Sequence, residues 1–184
     1  MGVVLAAGDG SRFAGSLPKQ LVEVAGRALV DHALQAALQA GLDEVVLVHG
    51  AVDLSDRVGD GVSVLRNPAW RSGIASSLLI AVSHARAGGH DAIVVGLADQ
   101  PGVGASAWCA MADAPAEPPI AVATYDGRRA NPVRLDRRVW DLLPVSGDEG
   151  ARAVMRDRPE LVREVPCTGE PADVDTLEDL DRWS

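Results

Sequence analysis

The sequence predicts an α/β fold, with a mostly parallel central sheet flanked by helices and a small mixed or antiparallel addition. Three observations predict it. Short, uniformly apolar runs suit strands buried on both faces of a parallel sheet. They alternate with segments of helical periodicity in a βαβ rhythm, which implies right-handed crossovers and helices on both faces. A chain of 184 residues with 47% hydrophobic content can bury one substantial core, so one domain over residues 1–184 is expected.

Met1 to Ala6 reads as an apolar strand running straight into the glycine-rich segment Gly8-Asp9-Gly10-Ser11-Arg12. From Ala28 to Ala40 leucine and alanine recur at helical spacing, and Gly41 supplies a stop. Glu44 to His49 is a second strand and Val62 to Leu65 a short third one. A helix is expected from about Gly73 to Ala87, ended by Gly88-Gly89, followed by a strong strand from Ala92 to Leu97. Beyond Asp99 the pattern loosens. A helix from about Ala105 to Ala112 precedes a loop at Pro115 to Pro119. Ile120 to Thr124 and Pro132 to Leu135 can pair across the turn Asp126-Gly127, which supplies the antiparallel addition. The last third offers a helix from about Glu149 to Arg156, a strand at Leu161 to Val165 and a terminal helix from near Thr176, with Thr176 and Asp179 spaced as a capping box.

Charge and composition narrow the function classes. A net charge of −9 and a pI near 4.8 disfavour nucleic acid, which requires a basic surface to displace counterions. No apolar run reaches the roughly 18 residues of a membrane span and no basic leader opens the chain, so a cytoplasmic protein without membrane contact is expected. Cys109 and Cys167 form neither a CxxC pair nor a ligand cluster with histidine. His32, His49, His84 and His90 are scattered singly and read as structural or solvated. Lys19 is the single lysine among 17 basic residues, which draws attention to its compact, flexible ammonium.

Three segments can carry chemistry. In Leu5-Ala6-Ala7-Gly8-Asp9-Gly10-Ser11-Arg12, small residues let backbone N–H groups approach phosphate oxygens, and Arg12 and Lys19 can neutralise a triphosphate. The segment matches neither the P-loop nor the dinucleotide fingerprint, and a glycine-rich turn after a strand is also often only a turn. Asp99, in Leu97-Ala98-Asp99-Gln100-Pro101, stands where a parallel sheet places its ligand crevice and suits Mg²⁺; it could equally begin a turn before Pro101. Asp175, in Asp173-Val174-Asp175-Thr176, could complete that metal site or simply face the helix N-terminus. Covalent hydrolase chemistry is not expected, because no Gly-x-Ser-x-Gly elbow appears and Ser76-Ser77 falls inside a helix.

Together these segments resemble the MobA-like NTP-transferase family that matures molybdenum cofactor. Leu5-Ala6-Ala7-Gly8-x-Gly10-Ser11-Arg12-Phe13 with Pro18-Lys19 is similar to the family's opening signature, and Asn67-Pro68-x-Trp70-x-x-Gly73-x-x-Ser76-Ser77-Leu78 to its second. Gly147-Asp148-x-Gly150-Ala151-Arg152 and Asp173-x-Asp175-Thr176-x-Glu178-Asp179-Leu180 extend the match over nearly the whole chain. The second signature and the Gly147 segment resemble the MocA-like, molybdenum cofactor cytidylyltransferase branch. The resemblance implies a Rossmann-like nucleotide-diphospho-sugar-transferase fold and transfer of CMP from CTP to molybdopterin, with pyrophosphate released. It implies Mg²⁺ on Asp99 and Asp175, and Lys19 and Arg12 on the triphosphate. Leu5, Ala6, Ala7, Gly8, Gly10, Ser11, Asn67, Gly73 and Ser76 would line the nucleotide site, and Asn131, Gly147, Asp148 and Arg152 the acceptor site.

The guanine branch typically has Leu-Ala-Gly-Gly where this chain has Leu5-Ala6-Ala7-Gly8, which favours CTP over GTP. A molybdoenzyme or its maturation factor would receive the product. One departure stands out: relatives usually carry Gly-His-Pro where this chain has Ala130-Asn131-Pro132, which changes the charge and donor pattern offered to an acceptor. A cytidylyltransferase acting on a sugar-alcohol phosphate, as in isoprenoid precursor synthesis, shares the opening segment. A non-catalytic nucleotide sensor is the rival from outside the enzymes.

Overall fold

The computed structural model describes residues 1–11, 13 and 17–183. Its main sheet takes the order β5-β4-β1-β6-β8-β7-β9. The parallel half comprises β1 (Gly2–Ala6), β4 (Val45–His49), β5 (Val62–Arg66) and β6 (Ala92–Leu97). β1 lies between β4 and β6, with Leu5 opposite both Val48 and Leu97. The chain thus leaves β1 towards one edge and later returns to its other side, and the crevice beyond the ends of β1 and β6 is a topological switch point.

The expected addition is present. β7 (Ile120–Tyr125) and β8 (Arg128–Asp136) form an antiparallel pair, with β8 against β6 and β9 (Val162–Pro166) parallel to β7. β8 is longer than its apolar segment suggested, since Arg128 to Ala130 also pair with β7, across a register shift between Val122 and Ala123. A two-stranded unit of β2 (Glu23–Val24) and β3 (Arg27–Ala28) was not expected. Ala25 and Gly26, both at positive φ, make its tight turn.

Helices cover both faces, which is why β1 and β4 are buried at every position. Alternation along β1 divides the core. Val3 and Leu5 join the layer under α2 (Ile74–Ala87) and α4 (Ala151–Asp157), which contains Leu78, Val95, Val122 and Met155. Val4 and Ala6 join the layer under α1 (Leu29–Gln39) and α3 (Ala105–Ala112), with Leu34, Trp108 and Met111. α5 (Leu177–Leu180) carries the expected capping box: Asp179 N–H donates to Thr176 Oγ1 at 3.2 Å and Thr176 N–H to Asp179 Oδ2 at 2.8 Å. Among the described residues no helix is long and apolar enough to cross a membrane.

Candidate active site

The loop after β1 is held from below. Gln20 is buried, and its side-chain amide donates to the carbonyls of Ala6 at 3.2 Å and Gly8 at 2.5 Å. The loop they anchor lines a cleft. Gly10, at φ +64°, is required there because a Cβ would lie 2.6 Å from Lys19 Cβ. Arg12, which sequence placed on the triphosphate, lies outside the described residues.

Lys19 opens a single 3₁₀ turn (Lys19–Leu21), and its stem lies against Gly10. Its ammonium donates to Asp99 Oδ2 at 2.7 Å and to Asp175 Oδ1 at 2.5 Å, although 80 and 156 residues separate these partners in sequence. Burial alone would lower the lysine's pKa, yet the charge of Asp99 and the hydrogen bonds to both acids outweigh it and shift the pKa upwards. Asp99 extends from the end of β6, and its carbonyl accepts the N–H of Val174 at 2.9 Å, which draws the acidic segment 173–175 alongside. Gln100, 5% exposed, adds a second tie, donating to Pro171 O at 3.0 Å and to Asp173 Oδ1 at 2.8 Å. Burial and then the nearby charge of Asp99 raise the pKa of Asp173, with the Gln100 bond opposing them.

A cleft of about 500 Å³ lies over this centre. The loop from Leu5 to Ser11 lines one side. Trp70, Arg71, Gly73 and Ser77 line another, and Lys19, Asp99 and Asp175 lie at its base. The Arg71 guanidinium stacks on the Trp70 ring at 4.2 Å. The side chains of Asn67 and Ser76 do not line this cleft. Asn67 is fully buried; its amide donates to Ser76 Oγ and Ser77 Oγ, both at 2.8 Å, and accepts the N–H of Ala69 at 2.9 Å. Both residues therefore shape the start of α2. Gly73, at φ +97°, allows the segment at Gly147 to press against that start, since a Cβ would lie 2.4 Å from the Gly147 carbonyl.

A second cavity, of about 570 Å³, opens on the other side of the acids. Leu5, Ile74, Leu97, Asp99, Asp148 and Asp175 line both spaces. Asn131 and Arg152 reach only the second. Gly147 reaches neither; it accepts the Ala75 N–H at 3.1 Å and donates to Ser72 O at 2.8 Å. Asn131 donates to Gln100 Oε1 at 3.2 Å, and its carbonyl accepts the Tyr125 hydroxyl at 3.0 Å. Sequence reasoning missed Gln20 and Gln100, whose partners are mostly carbonyls that no residue pattern reveals. The four histidines sit elsewhere: His32 and His49 bond the carbonyls of Val24 and Val52, and His84 and His90 both bond Glu44.

Asp99 Oδ1 is buried and has no hydrogen-bond partner among the described residues. A buried carboxylate oxygen without a partner is costly, and it fits a divalent cation, which takes oxygen ligands from one or two carboxylates and from substrate phosphates. Among the described residues no cluster of three or more His, Cys, Asp or Glu could hold a metal, so such an ion would need substrate oxygens to fill its shell.

Comparison with known proteins agrees with this geometry. Residues 2–164 match the family model described as the MobA-like NTP transferase domain. The nicotine blue oxidoreductase of Paenarthrobacter nicotinovorans is 35% identical, over 98% of this chain and 94% of that protein. The crystal structure of Rv0371c from Mycobacterium tuberculosis H37Rv is similar with a TM-score of 0.80 at 30% identity, covering 98% of this chain and 95% of that one. A further structure of that protein is a complex with manganese, at a TM-score of 0.75, 30% identity, and coverage of 99% and 96%. A nucleotidyl transferase from Methanothermobacter thermautotroptrophicus shares the fold at a TM-score of 0.80, 22% identity, and coverage of 98% and 94%. The chain belongs to the MobA-like NTP transferase family and is a nucleotidyltransferase.

Proposed function

We infer that this MobA-like NTP transferase, acting as one unit over residues 1–184, moves CMP from CTP to a phosphate on an acceptor held in the second cavity. One observation carries the reading: a polyphosphate-sized cleft and a second cavity meet at Asp99, Asp148 and Asp175. In this reading an acceptor phosphate oxygen attacks the α-phosphorus of CTP in line. The new P–O bond forms as the bond to the β-phosphate oxygen breaks, and pyrophosphate leaves with the electron pair.

The chain supplies position and charge rather than a nucleophile. The loop from Leu5 to Ser11 offers backbone N–H groups to the triphosphate, joined by Arg12. Asp99 and Asp175 would hold Mg²⁺ or Mn²⁺, which when bound neutralises charge on the phosphates. Lys19 now provides the positive charge between the two acids. With a metal held by Asp99 and Asp175, the Lys19 ammonium would be free to pair with the leaving phosphates, one cation taking the place of another between the carboxylates. The family resemblance favours cytosine over guanine at Ala7 and names molybdopterin as the first acceptor to try, with a molybdoenzyme or its maturation factor receiving the product.

The test is pyrophosphate release from CTP and, separately, GTP, with Mg²⁺ and molybdopterin or another phosphorylated acceptor. Release with CTP alone is expected. Equal release with GTP would remove the role given to Ala7, and silence with every acceptor would end the transfer reading.

A second reading draws on the name of the Paenarthrobacter relative, which matches over 98% of this chain. Under it one cleft would hold a dye that undergoes oxidation or reduction, and the other a nucleotide as its redox partner. Oxidation of NADH or NADPH that depends on added dye would support this reading, and its absence would remove it.

A further inference from the structure

The two cavities differ in what lies at their depth. The nucleotide cleft is lined by the buried polar side chains of Lys19, Gln20 and Ser77. In the second cavity every buried side chain is apolar: Val95, Val122, Val133, Leu135, Leu78 and Met155 are among them. None of the buried polar residues of the described chain lines it. The floor is the face of β6, β8 and β7, whose backbone groups are engaged in the sheet ladder, and α2 and α4 form the roof. The cavity is thus bounded in large part by aliphatic side chains.

The polar residues that line it are not buried; of its acids, Asp99, Asp148 and Asp175 are shared with the nucleotide cleft, whereas Glu149 and Asp173 are not. At the rim, Arg129 is bonded to Glu164 at 2.7 Å, and Arg156 is bonded to Glu149. Asn131 turns its amide N–H onto Gln100. Arg152 also lines the space, and its side chain has no acid partner among the described residues.

We propose that the acceptor taken by this cavity has a flat, largely apolar ring body with an anionic phosphate, rather than a polar-edged pterin ring. The proposal rests on the transfer reading for the role of acceptor, but the ligand class follows from the lining alone. A pterin carries adjacent amino, N–H and carbonyl groups along one edge. Where they lie against Val95, Val133 and Met155 those groups would lose water and gain no partner, and a single unsatisfied polar group weakens binding by roughly tenfold, about 1.4 kcal/mol. An apolar ring loses nothing there and buries its faces against Val95, Val133 and Met155. Arg152 attracts the ligand's negative charge as it enters.

The experiment compares two probes with a matched phosphate, naphthyl phosphate and hydroxymethylpterin phosphate, titrated calorimetrically into the full chain with Mg²⁺. Naphthyl phosphate should bind at least tenfold tighter. Val133→Phe and, at the cavity's edge, Ala130→Leu should each weaken it at least tenfold while CTP binding persists, and Arg152→Gln should weaken both probes. A pterin phosphate that binds equally or better, or failure of folded wild-type protein to bind either probe, overturns the proposal. So does unchanged naphthyl phosphate binding in a folded cavity-filling variant; if neither such variant folds, the wild-type ranking decides. Pyrophosphate release from CTP is measured with the same probes. The expected ranking without release from either probe would sink the transfer reading, and with it the acceptor role, while leaving the ligand class of the cavity in place.

Discussion

Replacing Lys19 with methionine removes the ammonium and keeps most of the apolar stem. The nitrogen now lies 2.7 Å from Asp99 and 2.5 Å from Asp175. Without it, two carboxylates roughly 5 Å apart would repel by about 3 kcal/mol at an effective dielectric constant of 20. Their side chains are 28% and 25% exposed, so solvent screens part of that repulsion, and a net destabilisation of about 1–2 kcal/mol is expected in metal-free buffer. The same charge density favours a divalent ion once no ammonium has to be displaced. Mn²⁺ should therefore bind the variant about tenfold tighter than wild type when nucleotide is absent, a gain of about 1.4 kcal/mol. The spin-resonance signal of free Mn²⁺ during titration measures this directly. Added CTP should tighten Mn²⁺ binding strongly in wild type and weakly in the variant, whereas pyrophosphate release should fall at least 100-fold in the variant, about 2.7 kcal/mol of lost transition-state stabilisation. A folded Lys19→Met protein that binds Mn²⁺ no tighter than wild type would refute the exchange of cations.

Four further outcomes test other parts of the structure. Asp99→Ala should lower turnover by about 10²-fold or more while changing urea stability by less than about 1 kcal/mol, because it removes a charge whose buried oxygen lacks a partner; most of the turnover surviving would end its assigned role. Gly73→Ala forces a side chain into φ +97° and against Gly147, so a loss of about 1–3 kcal/mol is expected by urea denaturation. Gln20→Leu frees the carbonyls of Ala6 and Gly8 and should raise the KM for CTP about tenfold, a loss of about 1.4 kcal/mol in ground-state binding. Glu44 tests the opposite end of the sheet: burial pushes its pKa up, but hydrogen bonds from His84, Ser63 and His90 win and bring it down to about 2 from 4.5. A depressed carboxylate pKa stabilises the fold above the unfolded value, so this contribution should disappear as pH falls from 4.5 towards 2. Glu44→Gln should flatten stability over that window, as followed by circular dichroism.

How much of this was legible in the sequence depended on the range of the interactions involved. The central strands of the parallel half were plain because burial on both faces makes nearly every position apolar, as in β1 and in β4 up to His49. The β2–β3 turn was hidden because Ala25 adopts φ +49° without the Asn or Asp that usually marks such a turn. The full length of β8 was hidden because Arg128 and Arg129 continue the pairing with polar side chains. At the site, the glycine loop and Asp99 could be recognised since each directly follows a strand that the fold class aims at the ligand crevice. Nothing in the spacing gives the bonds from Lys19 to partners 80 and 156 residues away; those depend on sheet order. Asn67 and Ser76 show the converse, being read as nucleotide contacts while the structure spends their hydrogen bonds on the first turn of α2. The acids illustrate why such supports matter. Asp99 and Asp175 come from different segments, and what aligns them is the Val174 N–H on the Asp99 carbonyl together with Gln100 bonded to Pro171 and Asp173. Gln100 also accepts from Asn131 at the edge of the second cavity. Asn131, which stands where the resemblance implies a histidine, is thus two hydrogen bonds from the acidic segment, so a change in acceptor chemistry and the alignment of Asp175 bear on the same short network.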